Sequence, residues 1–144
     1  KMVEVALGKE PVFNITGVDW PTRDGSGIRD YIHVWDLASA HIKAVERFDD
    51  VIRKAGQPDL PYAVINLGTG NGVTVKEFLV AFEEVYGKVL PLAIKPPRPG
   101  DVAGAYANAD KALELLGWKA ELPITQGISD ALKWGELRES ILTF

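Results

Sequence analysis

Tyr62-Ala63-Val64-Ile65-Asn66-Leu67 is an almost continuous apolar run, and it restricts the fold more than any other stretch of the chain. A strand with one face in water alternates apolar and polar residues. An unbroken run of this length is instead the pattern of a strand covered on both faces, as in the parallel sheets of α/β proteins. The run predicts a buried strand over 62–67 and an α/β fold class. It leads into Gly68-Thr69-Gly70-Asn71-Gly72, and then into Thr74-Val75-Lys76-Glu77, a capping box with Thr74 as N-cap and Glu77 three residues later. Phe78, Ala81, Phe82 and Val85 continue one apolar helix face to about Tyr86, and Gly87 stops it. A strand, a glycine-rich loop and a helix N-terminus together can hold a nucleotide phosphate. The spacing here is Gly-x-Gly-x-Gly, which is neither the dinucleotide fingerprint nor a P-loop, so a tight turn beside a binding cleft is the competing reading.

The charge pattern narrows the function. A net charge of −4 argues against a general binder of phosphate backbones while leaving room for one local cationic pocket. No cysteine is present, so disulfides and thiolate ligands are excluded. The two histidines, His33 and His41, make a histidine-based zinc site improbable. No apolar run reaches the roughly 20 residues of a membrane span, and Lys1 to Gly8 reads as the tail of a helix, not a signal peptide. The expected setting is cytoplasmic, with neither nucleic acid nor membrane as a partner. A chain opening in the last turns of a helix looks like part of something longer.

Arg29-Asp30-Tyr31-Ile32-His33-Val34-Trp35-Asp36 concentrates the polar chemistry. In an extended conformation Arg29, Tyr31 and His33 share one face. Asp36 is placed to N-cap a helix running to about Phe48, with Leu37, Ala40, Ala44 and Val45 on one stripe. A strand end feeding a capped helix commonly holds a ligand. The plainer alternative is a surface ion pair between Arg29 and Asp30, with His33 as a core histidine.

The remaining elements follow from periodicity and turn residues. Residues 2–7 read as helix, 11–16 and 89–94 as strands, 17–27 as loop, 49–60 as a polar connection and 124–138 as a last helix. Asn108 or Asp110 caps a helix that ends at Gly117. Lys95-Pro96-Pro97-Arg98-Pro99-Gly100-Asp101 carries three prolines, which hold Arg98 and Asp101 at a defined separation. Such a loop suits a ligand clamp or, more plainly, an ordered surface loop.

Taken together, the chain resembles the C-terminal half of the UDP-glucose 4-epimerase (UDP-galactose 4-epimerase) family, extended short-chain dehydrogenase/reductases. The resemblance covers essentially all of residues 1–144. It rests on Asp24-Gly25-Ser26-Gly27-Ile28-Arg29-Asp30-Tyr31-Ile32-His33-Val34, Asp36-Leu37-Ala38, Asn66-Leu67-Gly68-Thr69-Gly70, Arg98-Pro99-Gly100-Asp101, and Tyr106-Ala107-Asn108 through Leu116-Gly117-Trp118. It implies a substrate-binding portion of an extended Rossmann-type enzyme, containing the last parallel strand and flanking helices of the Rossmann sheet.

The resemblance also assigns roles. Arg29 and Arg98 would bind the UDP pyrophosphate, since guanidinium forks match phosphate oxygens. Asp101 would accept from a ribose hydroxyl. Asn14, Ile15 and Thr16 would lie along the uracil, Val75 would pack near the uridine, and Ala105 would border the sugar pocket. Tyr31 and His33 would be structural. The reaction would be hydride removal and return at C4 of the sugar, interconverting UDP-galactose and UDP-glucose with NAD held in an N-terminal Rossmann half. The catalytic Tyr-x-x-x-Lys and the Gly-x-x-Gly-x-x-Gly loop are both absent from residues 1–144. No catalytic or cofactor-binding residue is therefore expected in this chain. Its expected partners are a UDP-sugar, the N-terminal half and, for the full-length enzyme, a second copy. The rivals are a related sugar-nucleotide dehydratase or decarboxylase, and a non-catalytic module that holds nucleotide sugars.

Overall fold

The computed structural model describes residues 1–56 and 62–142. In chain order the elements are α1 (Met2–Ala6), β1 (Phe13–Thr16), β2 (Ile28–Arg29), α2 (Val34–Glu46), α3 (Phe48–Ala55), β3 (Val73–Thr74), α4 (Val75–Tyr86), β4 (Leu92–Lys95), α5 (Asp110–Leu116) and α6 (Ile124–Ile141). They fall into two units: residues 1–29, 73–105 and 123–144 form one, and residues 30–72 and 106–122 the other.

The first unit is built on a parallel ladder between β1 and β4, which runs in register from Phe13 opposite Leu92 to Thr16 opposite Lys95. Ile15 is buried beneath it, in a core shared with Met2 and Val5 of α1, Leu79 and Phe82 of α4, and Ile128 of α6. The apolar face read for α4 packs here, with Phe82 buried and Phe78, Ala81 and Val85 against the core, whereas on α2 only Ala40 and Ala44 of the expected stripe pack and Leu37 and Val45 are exposed. Thr74 and Glu77 form the reciprocal capping box: Thr74 Oγ1 accepts from the Glu77 amide at 3.1 Å, and Glu77 Oε2 accepts from the Thr74 amide at 2.9 Å. Gly87 closes α4 in the left-handed region with φ 77°. A short antiparallel pair, β2 with β3, sets Ile28 opposite Thr74 and Arg29 opposite Val73.

The second unit packs α2, α3 and α5 around Ala40, Val51, Ala112, Leu116 and Trp118. Trp118 is almost wholly buried, and its indole N–H donates to the Asp36 carbonyl and to Ser39 Oγ, each at 3.0 Å. The large ring therefore enters the core with its polar atom satisfied.

Four sequence expectations are corrected here. The run 62–67 forms no strand, because no described residue offers it a ladder partner. Its burial still alternates. Ala63, Ile65 and Leu67 pack on the core of the second unit, while Tyr62 and Val64 stand 59% and 68% exposed. The side chains suited to a second covering layer thus face solvent.

Asp36 is not the N-cap of α2. The helix begins three residues earlier, at Val34, and His33 caps it by accepting the Trp35 amide on Nδ1 at 3.1 Å. The extended motif accordingly stops short, and β2 covers only Ile28–Arg29. The Asp36 carboxylate is buried and accepts the amides of Glu121 at 3.1 Å and Leu122 at 2.9 Å.

The third correction is α3, which replaces much of the polar connection expected over 49–60. Its Val51 reaches the core, and Asp49 and Asp50 sit favourably in its first turn. Residues 57–60 of that connection lie outside the described residues. Finally, neither candidate is the formal cap of α5, because Ala109 holds that position. Asn108 nevertheless performs part of the task, its Oδ1 accepting the Asp110 amide at 2.8 Å.

Candidate functional site

All eight residues assigned to a UDP-sugar site lie in the first unit: Asn14, Ile15 and Thr16 on β1, Arg29 on β2, Val75 at the start of α4, and Arg98, Asp101 and Ala105 on the loop after β4. β1 and β4 run parallel, so that loop leaves from the carboxyl end of the pair, where open α/β sheets hold ligands. Asn14 is exposed, Thr16 half-buried and Ile15 buried. Ile15 therefore anchors the strand, leaving its backbone and its two polar neighbours as the available groups.

Arg29 and Asp30 do not pair with each other. Arg29 Nη1 donates to the carbonyl of Ile28 at 2.7 Å and to that of Ala103 at 3.4 Å. The loop approaches closely here because Gly104 has no side chain. A Cβ at that position would fall 1.8 Å from the Ile28 carbonyl oxygen and 2.2 Å from Arg29 Nη1. Asp101 accepts the Arg98 amide at 2.9 Å and pairs with its guanidinium at 3.2 Å. These Arg98 contacts, reinforced by the Arg29 charge, hold the Asp101 carboxyl below the usual carboxylate range. The three residues thus converge on one loop: two cations and a carboxylate that stays ionised.

The support under Arg29 is a network that the sequence reading passed over. Asp24 accepts the Ser26 amide and hydroxyl, the latter at 2.7 Å, and also accepts from the Thr74 hydroxyl. Burial acts to raise the Asp24 pKa, but the hydrogen bonds from Thr74 and Ser26 and the Lys76 charge outweigh it and bring it below its ordinary value. Arg23 pairs with Glu77, and Lys76 Nζ donates to the Asp24 carbonyl at 2.8 Å. The loop before β2 is thereby pinned to the N-terminus of α4, which fixes where Arg29 and Val75 start. The sequence signal was an Asp24-Gly25-Ser26 turn fifty residues from a capping box, with nothing local to join them.

The glycine-rich loop lies in the second unit, and the Thr69 donors at its centre are held by Asp30. Asp30 Oδ1 accepts the Thr69 amide at 3.1 Å and its hydroxyl at 2.7 Å, and Oδ2 accepts the Ala107 amide at 3.1 Å. A Cβ on Gly68 would meet Asp30 Oδ2 at 2.2 Å. These glycines make a turn around a carboxylate, which is the tight-turn reading of the sequence. No group of three or more potential metal-ligating side chains occurs among the described residues.

No family model matches the chain. Individual relatives do. UDP-glucose 4-epimerase 3 of Oryza sativa subsp. japonica is 47% identical over 133 residues, which is 92% of this chain but 34% of that protein. The UDP-glucose 4-epimerase of Bifidobacterium longum, solved with NAD+ and UDP, matches with a TM-score of 0.82 and 40% identity. That match covers 99% of this chain and 39% of the solved one. The chain is homologous to the C-terminal third of the UDP-glucose 4-epimerases.

A further epimerase structure, from Stenotrophomonas maltophila, carries NAD and formylated UDP-arabinopyranose. It matches with a TM-score of 0.85 and 40% identity, over 97% of this chain and 39% of its own. The Rossmann-type, extended short-chain dehydrogenase/reductase fold class read from the motifs is that of these epimerases. This chain spans little more than a third of their length. NAD is carried by the solved relatives. In the glycine-rich loop of this chain the Thr69 amide and hydroxyl are taken by Asp30. No helix among the described residues is long and apolar enough to cross a membrane.

Proposed function

We propose that this chain is the UDP-sugar-binding part of a UDP-glucose 4-epimerase, which interconverts UDP-galactose and UDP-glucose when joined to an NAD-holding N-terminal part in the cytoplasm. The observation that carries the reading is the convergence of Arg29, Arg98 and Asp101 on one loop at the carboxyl end of the β1–β4 pair. A diphosphate needs two cationic forks and a ribose needs a fixed ionised acceptor, and this loop supplies both. The exposed Arg98 would exchange its partner Asp101 for a phosphate oxygen, freeing Asp101 to take a ribose hydroxyl. Asn14, Ile15 and Thr16 line the base, Val75 closes the uridine side, and Ala105 borders the sugar.

The epimerase reading stands above the dehydratase and decarboxylase rivals because the three relatives described above, at 40–47% identity, are UDP-glucose 4-epimerases. It stands above the non-catalytic module because the match covers one part of a longer enzyme. The chain by itself holds no catalytic residue and would be inactive.

Two measurements test this. Calorimetric titration of the chain should show UDP binding that exceeds uridine binding. The intact protein should convert UDP-galactose to UDP-glucose with no added product other than the epimer. Conversion to a 4-keto-6-deoxy sugar, or no affinity for UDP, would overturn the proposal.

A further inference from the structure

Lys95 is the last residue of β4 and lies opposite Thr16, the last residue of β1. Paired residues of a ladder project to the same side of the sheet, and successive residues alternate. Asn14, Thr16, Ala93 and Lys95 therefore share one face, opposite the face on which Ile15 is buried. Lys95 is exposed, and no side chain among the described residues pairs with it. The adjoining cation, Arg98, is by contrast already matched with Asp101.

We propose that Lys95 is a base-recognition residue, whose ammonium donates to a carbonyl oxygen on the edge of the pyrimidine laid along β1. The inference rests on the placement of the base proposed above, and adds a residue to it. Neighbouring strands lie about 4.8 Å apart, so a lysine stem reaches from β4 across β1 to a planar ring lying on it. The Gly17 amide donates to the Lys95 carbonyl at 2.9 Å, which continues the pairing through the strand end and fixes the root of the side chain. A uracil ring offers carbonyl oxygens that need donors once water is displaced. An ammonium is the strongest donor on this face, because a hydrogen bond to a charged group exceeds a neutral one. The competing role is that of an edge lysine, which guards an exposed strand against pairing with another chain.

The two roles separate by ligand. Uridine, UDP and inorganic pyrophosphate are titrated by calorimetry into the intact protein and its Lys95→Met and Lys95→Arg variants. Base recognition predicts that Lys95→Met weakens uridine and UDP by the same factor, about tenfold, the low end for a hydrogen bond to a charged group. Pyrophosphate should be unaffected, and Lys95→Arg should recover most of the loss. A loss confined to UDP and pyrophosphate would make Lys95 a phosphate contact and overturn the inference. Unchanged affinity for all three ligands would leave it as a strand guard and overturn the inference equally. If the unaltered protein binds neither uridine nor UDP, the placement of the base fails, and this inference falls with it.

Discussion

Asp30 grips Thr69 at two points, accepting its amide at 3.1 Å and its hydroxyl at 2.7 Å across 39 residues of chain. The other carboxylate oxygen takes the Ala107 amide, so one side chain ties three segments of the second unit together. Asp30→Ala should destabilise that unit by about 2 kcal/mol, since the carboxylate makes several part-buried contacts whose donors would be left to water. Gly68→Ala should cost a similar amount. Its methyl group would arrive 2.2 Å from Asp30 Oδ2 and 2.8 Å from the Ala107 Cβ, so the carboxylate would have to shift off its three donors. Urea unfolding of each variant measures both. A double variant losing clearly less than the sum would show that the two act on one site.

Glu77 should make the first unit sensitive to acid. The hydrogen bond from Arg23, followed by that from the Thr74 amide, lowers its pKa from an ordinary 4.5 to about 2. A carboxyl depressed on folding contributes stability that is full above its unfolded pKa and is lost as the pH falls through the folded one. The melting temperature should therefore decline between about pH 5 and pH 2. Glu77→Gln, which can keep the capping box, should flatten that decline. The side chain is 44% exposed, so screening reduces the effect, and added salt should shrink it further.

Arg29 and Arg98 should act on the diphosphate and not on the nucleoside. Replacing either with alanine should weaken UDP binding by roughly 1.5–3 kcal/mol, the range for a charge-assisted hydrogen bond, and leave uridine binding unchanged. Equal losses for both ligands would remove the pyrophosphate assignment.

Ala105 is exposed and ends at its methyl group, where it is proposed to border the sugar. A wall that stops at Cβ leaves room for a 2-acetamido group, so the intact enzyme should accept UDP-N-acetylglucosamine as well as UDP-glucose. Ala105→Tyr should slow the N-acetylated substrate by ~10-fold or more, over 1.4 kcal/mol, and leave UDP-galactose within a few-fold. Steady-state kinetics on both substrates decides it, and equal slowing would refute the pocket reading.

The chain on its own should self-associate. Trp35 and Val64 are 69% and 68% exposed and Val45 79%, a load of apolar surface unusual for a protein standing alone. Sedimentation velocity should show concentration-dependent species. A single monomeric boundary, with a sharp melt above about 60 °C, would contradict this.

Local chemistry alone determined much of this molecule. The capping box at Thr74 and Glu77, the stops at Gly87 and Gly117, the apolar face of α4 and the proline-rich loop holding Arg98 to Asp101 all depend on neighbours a few residues away. Their physics is therefore written into the sequence. The motifs also carried the resemblance to the epimerases, because short runs of residue identities persist where function needs them. Tertiary structure decided the rest. Whether His33 or Asp36 capped α2 depended on two amides 85 and 86 residues beyond Asp36, which claimed its carboxylate. Whether Gly68-Thr69-Gly70 met a phosphate or a side chain depended on Asp30. The run 62–67 shows the limit most plainly. Its composition records the two layers it is suited to lie between, but a strand also needs a neighbour's amides and carbonyls, and no described residue supplies them.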